Sequence, residues 1–301
     1  MLDMQAIEAA DKAIRTDLGG AFETDCYRSE YLSALTNGQV YLKCEHLQRT
    51  GSFKYRGALT KLLLSQQRKP GMKIIAASSG NHGLAIATAA KYLGLSADVY
   101  VPESASPMKC QAIQALGAQL VAVPGDGLQS ELRARAVANE QGGLFVSPYN
   151  DLEVIAGQAT VGLELCRQMS SLDAVLVAVG GGGLSAGIGR CLSRHYPDAQ
   201  LIGAWPAVAP AMHACLQAGE IHDVKEGPTL SDGTAGGVEP GAVSFPLLQS
   251  FLSDSVLVSE AEIAKAMRLT AEHERWMIEG AAGVAVAALL QKPQRWAGKT
   301  V

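Results

Sequence analysis

The sequence predicts an α/β protein in which parallel strands alternate with crossover helices. Short apolar runs rich in Val, Ile and Leu alternate with longer Ala-rich stretches of helical period. The chain has 301 residues, so two closely packed lobes or one large α/β domain are expected. Since no Pro-rich or Ser-rich linker marks a boundary, a second domain must be interleaved with the first.

The individual elements follow from the same periodicities. The apolar runs predict strands at Val40–Glu45, Lys73–Ala77, Asp98–Val101, Gln119–Val123, Leu144–Val146, Ala174–Val179, Leu201–Ala204 and Ser255–Val258. The stretches of helical period predict helices that include Asn81–Leu93, Met108–Leu116, Ser130–Gln141, Ile155–Met169 and Glu260–Glu274. The last residues, WAGKTV, read as a loop entering a strand that stops at once, and we expect residues missing after Val301.

Composition favours a protein that acts on a small molecule. Hydrophobic residues make up 48% and charged residues 18% of the chain, and the net charge of −4 carries no basic patch for nucleic acid or membrane. The six cysteines form no C-x-x-C pair, which argues against zinc and favours a reducing cytoplasm. The N-terminus has no apolar signal region, and the longest apolar run, Ala281–Leu290, is too short to span a bilayer.

A run of four glycines, Gly180–Gly183, follows the strand ending at Val179 and precedes a helix that begins near Leu184. Such a turn exposes backbone N–H groups at the positive end of a helix dipole, which suits a phosphate. A dinucleotide site is disfavoured, because Ala204-Trp205-Pro206 lacks the required acid.

Two other interpretations of the glycine run remain open. Gly183-Leu184-Ser185-Ala186-Gly187 fits a nucleophile elbow, with Asp232 and His273 following in hydrolase order, so a serine hydrolase is one alternative. A glycine-rich turn that serves packing alone is the structural alternative.

Lys54 lies between aromatic and hydroxyl residues at an expected loop-to-helix junction, in Ser52-Phe53-Lys54-Tyr55-Arg56. A lysine that forms an imine must lose its proton near neutral pH, which partial burial or a nearby cation such as Arg56 promotes. The structural alternative is a solvated surface lysine.

The segment Ser78-Ser79-Gly80-Asn81-His82-Gly83 joins a predicted strand to the helix Asn81–Leu93. Its hydroxyls, its amide and the helix N-terminal N–H groups predict a receptor for a substrate carboxylate. An ordinary helix cap is the alternative.

Taken in order with Glu279-Gly280-Ala281-Ala282-Gly283 and Ser231-Asp232-Gly233, these motifs resemble the serine/threonine dehydratase and serine racemase family across nearly the whole chain. The resemblance implies the two-lobed fold type II pyridoxal-phosphate architecture, similar to tryptophan synthase β, with a parallel sheet flanked by helices in each lobe. It implies a smaller lobe of residues 51–141 inserted into a large cofactor-binding lobe of residues 1–50 plus 142–301. The implied activity is conversion of a β-hydroxy-α-amino acid to a 2-oxo acid and ammonia.

The resemblance also assigns roles to single residues. Lys54 would carry pyridoxal 5'-phosphate and then act as the general base, and Ser79 would face the opposite side of Cα. The other cofactor-binding residues would be Phe53, Asn81, Gly180, Gly181, Gly182, Gly183, Leu184, Gly233 and Glu279. The substrate would meet Ser78, Ser79, Asn81 and His82.

Departures from the family pattern narrow these expectations. The acidic residues that bind a divalent cation in racemases fall on Trp205 and Ala211, so no metal site is expected. The residue that meets the pyridine nitrogen would lie after Val301. Trp205-Pro206 and Thr234-Ala235-Gly236-Gly237 resemble the hydroxyectoine-utilisation dehydratase branch. Racemisation and a catalytically silent ligand-binding protein remain alternatives, and a homodimer is expected.

Overall fold

The computed structural model describes residues 2–15 and 19–301 as a series of helices and strands. The helices are α1 (Met4–Ile14), α2 (Glu30–Thr36), α3 (Lys54–Arg68), α4 (Asn81–Leu93), α5 (Pro107–Gln114), α6 (Gly127–Gln141), α7 (Leu152–Gln168), α8 (Gly183–His195), α9 (Ala211–Ala218), α10 (Ser244–Phe251), α11 (Glu260–Glu274) and α12 (Gly280–Gln291). The strands are β1 (Cys26–Arg28), β2 (Tyr41–Lys43), β3 (Ile74–Ala77), β4 (Ala97–Pro102), β5 (Gln119–Val123), β6 (Leu144–Phe145), β7 (Ala174–Ala178), β8 (Gln200–Pro206) and β9 (Asp254–Val258).

The chain divides into two compact units, and each is built from two separate stretches of sequence. Unit 1 comprises Met1–Glu23 and Glu45–Thr160, and unit 2 comprises Thr24–Cys44 and Val161–Val301. These bounds differ from the predicted lobes, because Ile14, Ala21, Val146 and Val154 belong to the same apolar core as the strands of unit 1. Which unit holds the cofactor stays a prediction.

Unit 1 is organised around a four-stranded parallel sheet in the order β5-β4-β3-β6. Ile74 of β3 lies opposite Ala97 of β4 and Leu144 of β6, so β3 is an interior strand. All four residues of β3 are buried, which explains its continuous apolar sequence. Residues that follow the carboxyl end of β3 are therefore held by a strand fixed on both sides.

Unit 2 contains a three-stranded parallel sheet in the order β7-β8-β9 and a separate antiparallel pair, β1 and β2. The α/β class with parallel sheets flanked by helices is confirmed. Strand β2 lies within the predicted strand Val40–Glu45, whereas β1 and its antiparallel pairing with β2 were not predicted. Thr300 makes a parallel bridge with Gln39, and the Val301 carbonyl accepts a hydrogen bond from the Tyr41 N–H at 2.8 Å.

Two helices begin and end at the residues that the sequence predicts. Helices α4 and α11 have the predicted bounds, and α11 begins with a capping box formed by Ser259 and Glu262. All six cysteines are free thiols. Within the described ranges, no helix is both long and apolar enough to cross a membrane.

Candidate active site

Lys54 lies at the first residue of α3, as the predicted loop-to-helix junction requires. Its Nζ atom donates a hydrogen bond to the Pro148 carbonyl oxygen at 3.1 Å and lies 5.2 Å from the centre of the Phe53 ring. The side chain is half-buried, so the amine is neither a freely solvated surface group nor sealed in the core. This placement leaves the amine able to exchange one partner for another.

Arg56 does not act as the uncompensated cation that the sequence suggested beside Lys54. It is fully buried, and its Nε and Nη2 atoms donate to the two carboxylate oxygens of Glu45 at 2.8 and 2.7 Å. Its Nη1 atom donates to the Thr160 hydroxyl at 3.1 Å. Since such a bidentate pair compensates the charge, Arg56 anchors the start of α3. Sequence spacing could not identify Glu45 as this partner.

The segment Ser78–His82 joins β3 to α4, as predicted, and forms a tight turn. The Ser78 Oγ atom accepts a hydrogen bond from the Gly80 N–H at 3.1 Å, and Gly80 is the N-cap residue. No side-chain hydrogen bond caps α4, and the role of this segment as a substrate receptor stays a prediction. A Cβ atom on Gly83 would overlap the Ser78 carbonyl oxygen, which shows how closely the turn folds against the helix.

His82 is more buried than a direct substrate ligand would be, with 2% of its surface exposed. Its Nε2 atom bonds to the Val146 carbonyl at 2.9 Å. Burial and the positive charge of Lys54 lower the pKa of His82, and this hydrogen bond raises it. The pKa falls to about 3. The structure thus attaches Lys54 and His82 to neighbouring carbonyls, those of Pro148 and Val146. Sequence analysis did not identify this segment; a proline two residues after the predicted strand Leu144–Val146 was its signal.

In unit 2 the glycine run lies between β7 and α8, as expected. Gly182 is the N-cap residue of α8 with φ +87°, a conformation that favours glycine. A Cβ atom there would lie 2.5 Å from Leu248 Cδ1, and a Cβ atom on Gly180 would lie 3.1 Å from the backbone of Thr234. Ser244 Oγ donates to the Gly181 carbonyl at 2.6 Å. The run therefore follows a path that side chains would block.

The turn that contains Gly233 packs against Gly180 on one side and against the start of α12, where Glu279 lies, on the other. Gly233 belongs to the turn 231–234, which ends at the Thr234 backbone that faces Gly180. Glu279 is the N-cap residue of α12, and a Cβ atom on the next residue, Gly280, would overlap the Leu230 carbonyl. Three motifs that are distant in sequence thus converge within unit 2.

The hydrolase alternative finds no support in the geometry. Ser185 is 1% exposed, and its hydroxyl donates to the Gly182 carbonyl at 3.2 Å. The ring of His273 stacks on Tyr31 with centroids 3.6 Å apart, which is not the arrangement of a base that activates a serine.

The residues present fit pyridoxal phosphate. Helices α3, α4, α8 and α12 begin at the predicted cofactor motifs, and no side chain caps any of the four. Uncapped N–H groups beside glycines without Cβ atoms suit a phosphate. In unit 1, Ser52 Oγ and His82 Nδ1 are buried without a partner among the described residues, as expected of polar atoms near a ligand site.

The described residues contain no cluster of metal-binding side chains. Within residues 2–15 and 19–301, no three His, Cys, Asp or Glu side chains lie close enough together to hold a metal ion. Trp205, which occupies one of the positions expected to be acidic in racemases, is 1% exposed and lies in the core of unit 2.

Comparison with known proteins gives a consistent result across the chain. The family model described as "Pyridoxal-phosphate dependent enzyme" matches residues 18–301. The L-threonine ammonia-lyase of Geobacter sulfurreducens is 38% identical over 100% of this chain and 74% of its own length. The crystal structure of a threonine deaminase from T.th. aligns with a TM-score of 0.90 and 34% identity, over 99% of this chain and 95% of that structure. The serine racemase of Dictyostelium discoideum aligns with a TM-score of 0.89 and 31% identity, over 100% and 96%.

Proposed function

Since the chain belongs to the serine/threonine dehydratase and racemase family of pyridoxal-phosphate-dependent enzymes, we propose that its substrate is L-threonine. The protein is a pyridoxal-phosphate-dependent lyase of the dehydratase type. The proposed reaction converts threonine to 2-oxobutanoate and ammonia. The relatives named for this substrate support the choice, since they reach 38% identity over the whole chain. Assignment to the hydroxyectoine-utilisation branch stays a prediction.

The observation that carries the proposal is the position of Lys54. The amine is half-buried at a helix start, next to an aromatic ring and bonded to one carbonyl. An amine in this setting can form a covalent link to the cofactor and, when released, serve as a base. We assign the phosphate of the cofactor to the N–H groups of Gly180–Gly183 at the start of α8. Gly233 and Glu279 complete the contacts that we assign to the cofactor in unit 2.

The chain's own residues then divide the work of the reaction. Pyridoxal phosphate, when bound, supplies an electron sink that makes the Cα proton of the substrate acidic. The Ser78 hydroxyl and the uncapped N–H groups of α4 bind the substrate carboxylate. Asn81 and Phe53 orient the reacting ring. The Lys54 amine, once the substrate amine has taken its place, removes the Cα proton.

Loss of the β-hydroxyl completes the elimination. The hydroxyl leaves with a proton as water, and the product is an enamine, which water converts to the 2-oxo acid and ammonia. Lys54 holds the proton taken from Cα and is placed to return it to the departing oxygen. His82 is held neutral by burial and does not supply this proton.

Product analysis with pure amino acids tests the proposal. We expect equal amounts of 2-oxobutanoate and ammonia from L-threonine, in the presence of the cofactor, and none with Lys54→Ala. Faster formation of pyruvate from L-serine would transfer the assignment to serine. Absence of any 2-oxo acid from a panel of β-hydroxy amino acids would refute the dehydratase assignment.

Racemisation is a second candidate, because a serine racemase aligns with the whole chain. Its requirement is an acid–base group on the face of Cα opposite Lys54, and Ser79 is the residue to which we assign that role. Measurement of the D-enantiomer formed from L-serine tests it directly.

The proposal extends to the assembly and location of the enzyme. We infer a homodimer from the family resemblance. In unit 2 the side chain of Met277 is 92% exposed, and the centre of the Trp276 ring beside it lies 4.9 Å from that of the Tyr27 ring. Light scattering after gel filtration tests the dimer. The six free thiols support a cytoplasmic location.

A further inference from the structure

The short segment Val146–Pro148 of unit 1 receives hydrogen bonds from two of the predicted functional side chains. It continues from β6, and the Val146 N–H donates to the Ile75 carbonyl of β3 at 2.8 Å. The Val146 carbonyl accepts from His82, and the Pro148 carbonyl accepts from Lys54. The position of the Lys54 amine therefore depends on how firmly this segment is held.

The proton on His82 is assigned by its partners. A carbonyl oxygen only accepts, so Nε2 must carry the hydrogen of the bond to Val146. Nδ1 has no partner among the described residues, and burial together with the charge of Lys54 keeps the ring from taking a second proton near neutral pH. His82 is thus a neutral donor with a single role in the structure.

The backbone between Val146 and Pro148 is itself fixed by hydrogen bonds. The Ser147 Oγ atom accepts hydrogen bonds from the backbone N–H groups of Asn150 at 3.0 Å and Tyr149 at 3.5 Å. Such a turn fixes the backbone around Pro148, whose own φ is restricted by its ring. Val146 and Ser147 are both buried, so water does not readily replace a hydrogen bond that is lost there.

We propose that His82 is a positioning residue, whose hydrogen bond to Val146 fixes the segment 146–148 and thereby the carbonyl that holds the Lys54 amine. The inference rests on the proposed function only in giving Lys54 its catalytic role. His82 then acts through Lys54 and, contrary to what the resemblance implied, does not touch the substrate.

A consequence follows for the titration of Lys54. An ammonium group that donates to a fixed carbonyl is favoured over the neutral amine. His82→Leu fills much of the same volume but cannot donate to Val146, so the segment loosens and the hydrogen bond from the Lys54 ammonium to the Pro148 carbonyl weakens. We expect the midpoint of the Lys54 titration to fall by about one pH unit, which corresponds to about 1.4 kcal/mol.

The titration can be measured without the reaction. The full chain, stripped of cofactor, is pulsed with acetic anhydride over a range of pH, and acetylation of Lys54 is quantified by peptide mass spectrometry. The exposed Lys265 on α11 is the internal reference, and its midpoint should not move. His82→Gln is the matched control, because its amide can donate to Val146; its midpoint should return to that of the wild type.

Each outcome decides the matter. An unchanged midpoint in His82→Leu overturns the proposal, and so does a His82→Gln midpoint that matches His82→Leu. If His82→Leu does not fold, Ser147→Ala tests the same segment from its other side, and an unchanged midpoint there overturns the proposal as well. A wild-type protein without dehydratase activity would refute the proposed function while leaving the labelling result to stand.

Discussion

Replacing Gly182 with alanine tests the glycine run most directly. The residue has φ +87°, and a new Cβ atom would lie 2.5 Å from Cδ1 of Leu248, a side chain with no exposed surface. A left-handed conformation costs a non-glycine residue about 1–2 kcal/mol. Displacing a packed core side chain costs about 1–3 kcal/mol more. The reduced freedom of the unfolded chain offsets about 0.4–1 kcal/mol, so we expect a net loss of about 1–5 kcal/mol.

Two glycines of unit 2 separate these contributions. Gly219 has φ +80° with nothing within 4 Å of an added Cβ atom, so Gly219→Ala carries the strain without the clash. Gly237 has open space and no positive φ, so Gly237→Ala carries neither. In urea unfolding of the cofactor-free proteins, the free energy of unfolding should be lowest for Gly182→Ala, intermediate for Gly219→Ala and highest for Gly237→Ala.

The same variants test cofactor binding. Gly182→Ala must shift either Leu248 or the loop that presents N–H groups at the start of α8, so its affinity for pyridoxal phosphate should fall at least tenfold in an absorbance titration. Gly219→Ala should bind as the wild type does. Equal unfolding free energies for Gly182→Ala and Gly219→Ala, together with equal cofactor affinities, would refute the argument that this backbone path is required.

Three further predictions address other parts of the molecule. Borohydride reduction of the holoenzyme followed by peptide mapping should place the pyridoxyl group on Lys54, and an adduct on another lysine would contradict that role. Ser79→Ala should spare elimination from L-threonine while abolishing turnover of the other enantiomer, whereas Ser185→Ala should retain its coloured cofactor and its activity; oxo-acid assays with each enantiomer check both. Burial alone would raise the pKa of Glu153, but hydrogen bonds and charges from two basic side chains outweigh this effect and bring the pKa below its ordinary value of 4.5. Because this stabilisation is present above pH 4.5 and is lost as the pH falls through the lowered value, Glu153→Gln should cost about 1 kcal/mol at pH 7 and progressively less under acid conditions in urea unfolding.

The sequence was most informative where local patterns and tertiary structure agree. Helix α11 was predicted to the residue from its helical period, and the capping box in the structure accounts for its start. Strand β1 was not predicted, since its three residues, Cys26–Arg28, show no alternation and depend on pairing with β2. Short strands of this kind are specified by their partners rather than by their own sequence.

The candidate site shows the same division. The order of the motifs led to Lys54 and to the glycine run, because each motif has a local chemical reason. The pairing of Arg56 with Glu45 and the bond from His82 to Val146 join residues that are 11 and 64 positions apart. No periodicity links such positions, so their roles could be assigned only once the fold had brought them together.

The close approach of α3 to the first turns of α7 within unit 1 has a kinetic consequence. A Cβ atom on Gly157 would lie 2.6 Å from the Gly57 Cα atom, and the Gly57 N–H donates to the Gln158 side chain at 3.2 Å. The backbone that bears Lys54 is thereby clamped three residues beyond it, and the amine can change partners only by rotating its four-carbon arm. Rotamer changes are much faster than loop or domain movements, so this exchange adds little to the time of a catalytic cycle. The ratio of single-turnover to steady-state rates would then show whether bond breaking or product departure limits turnover.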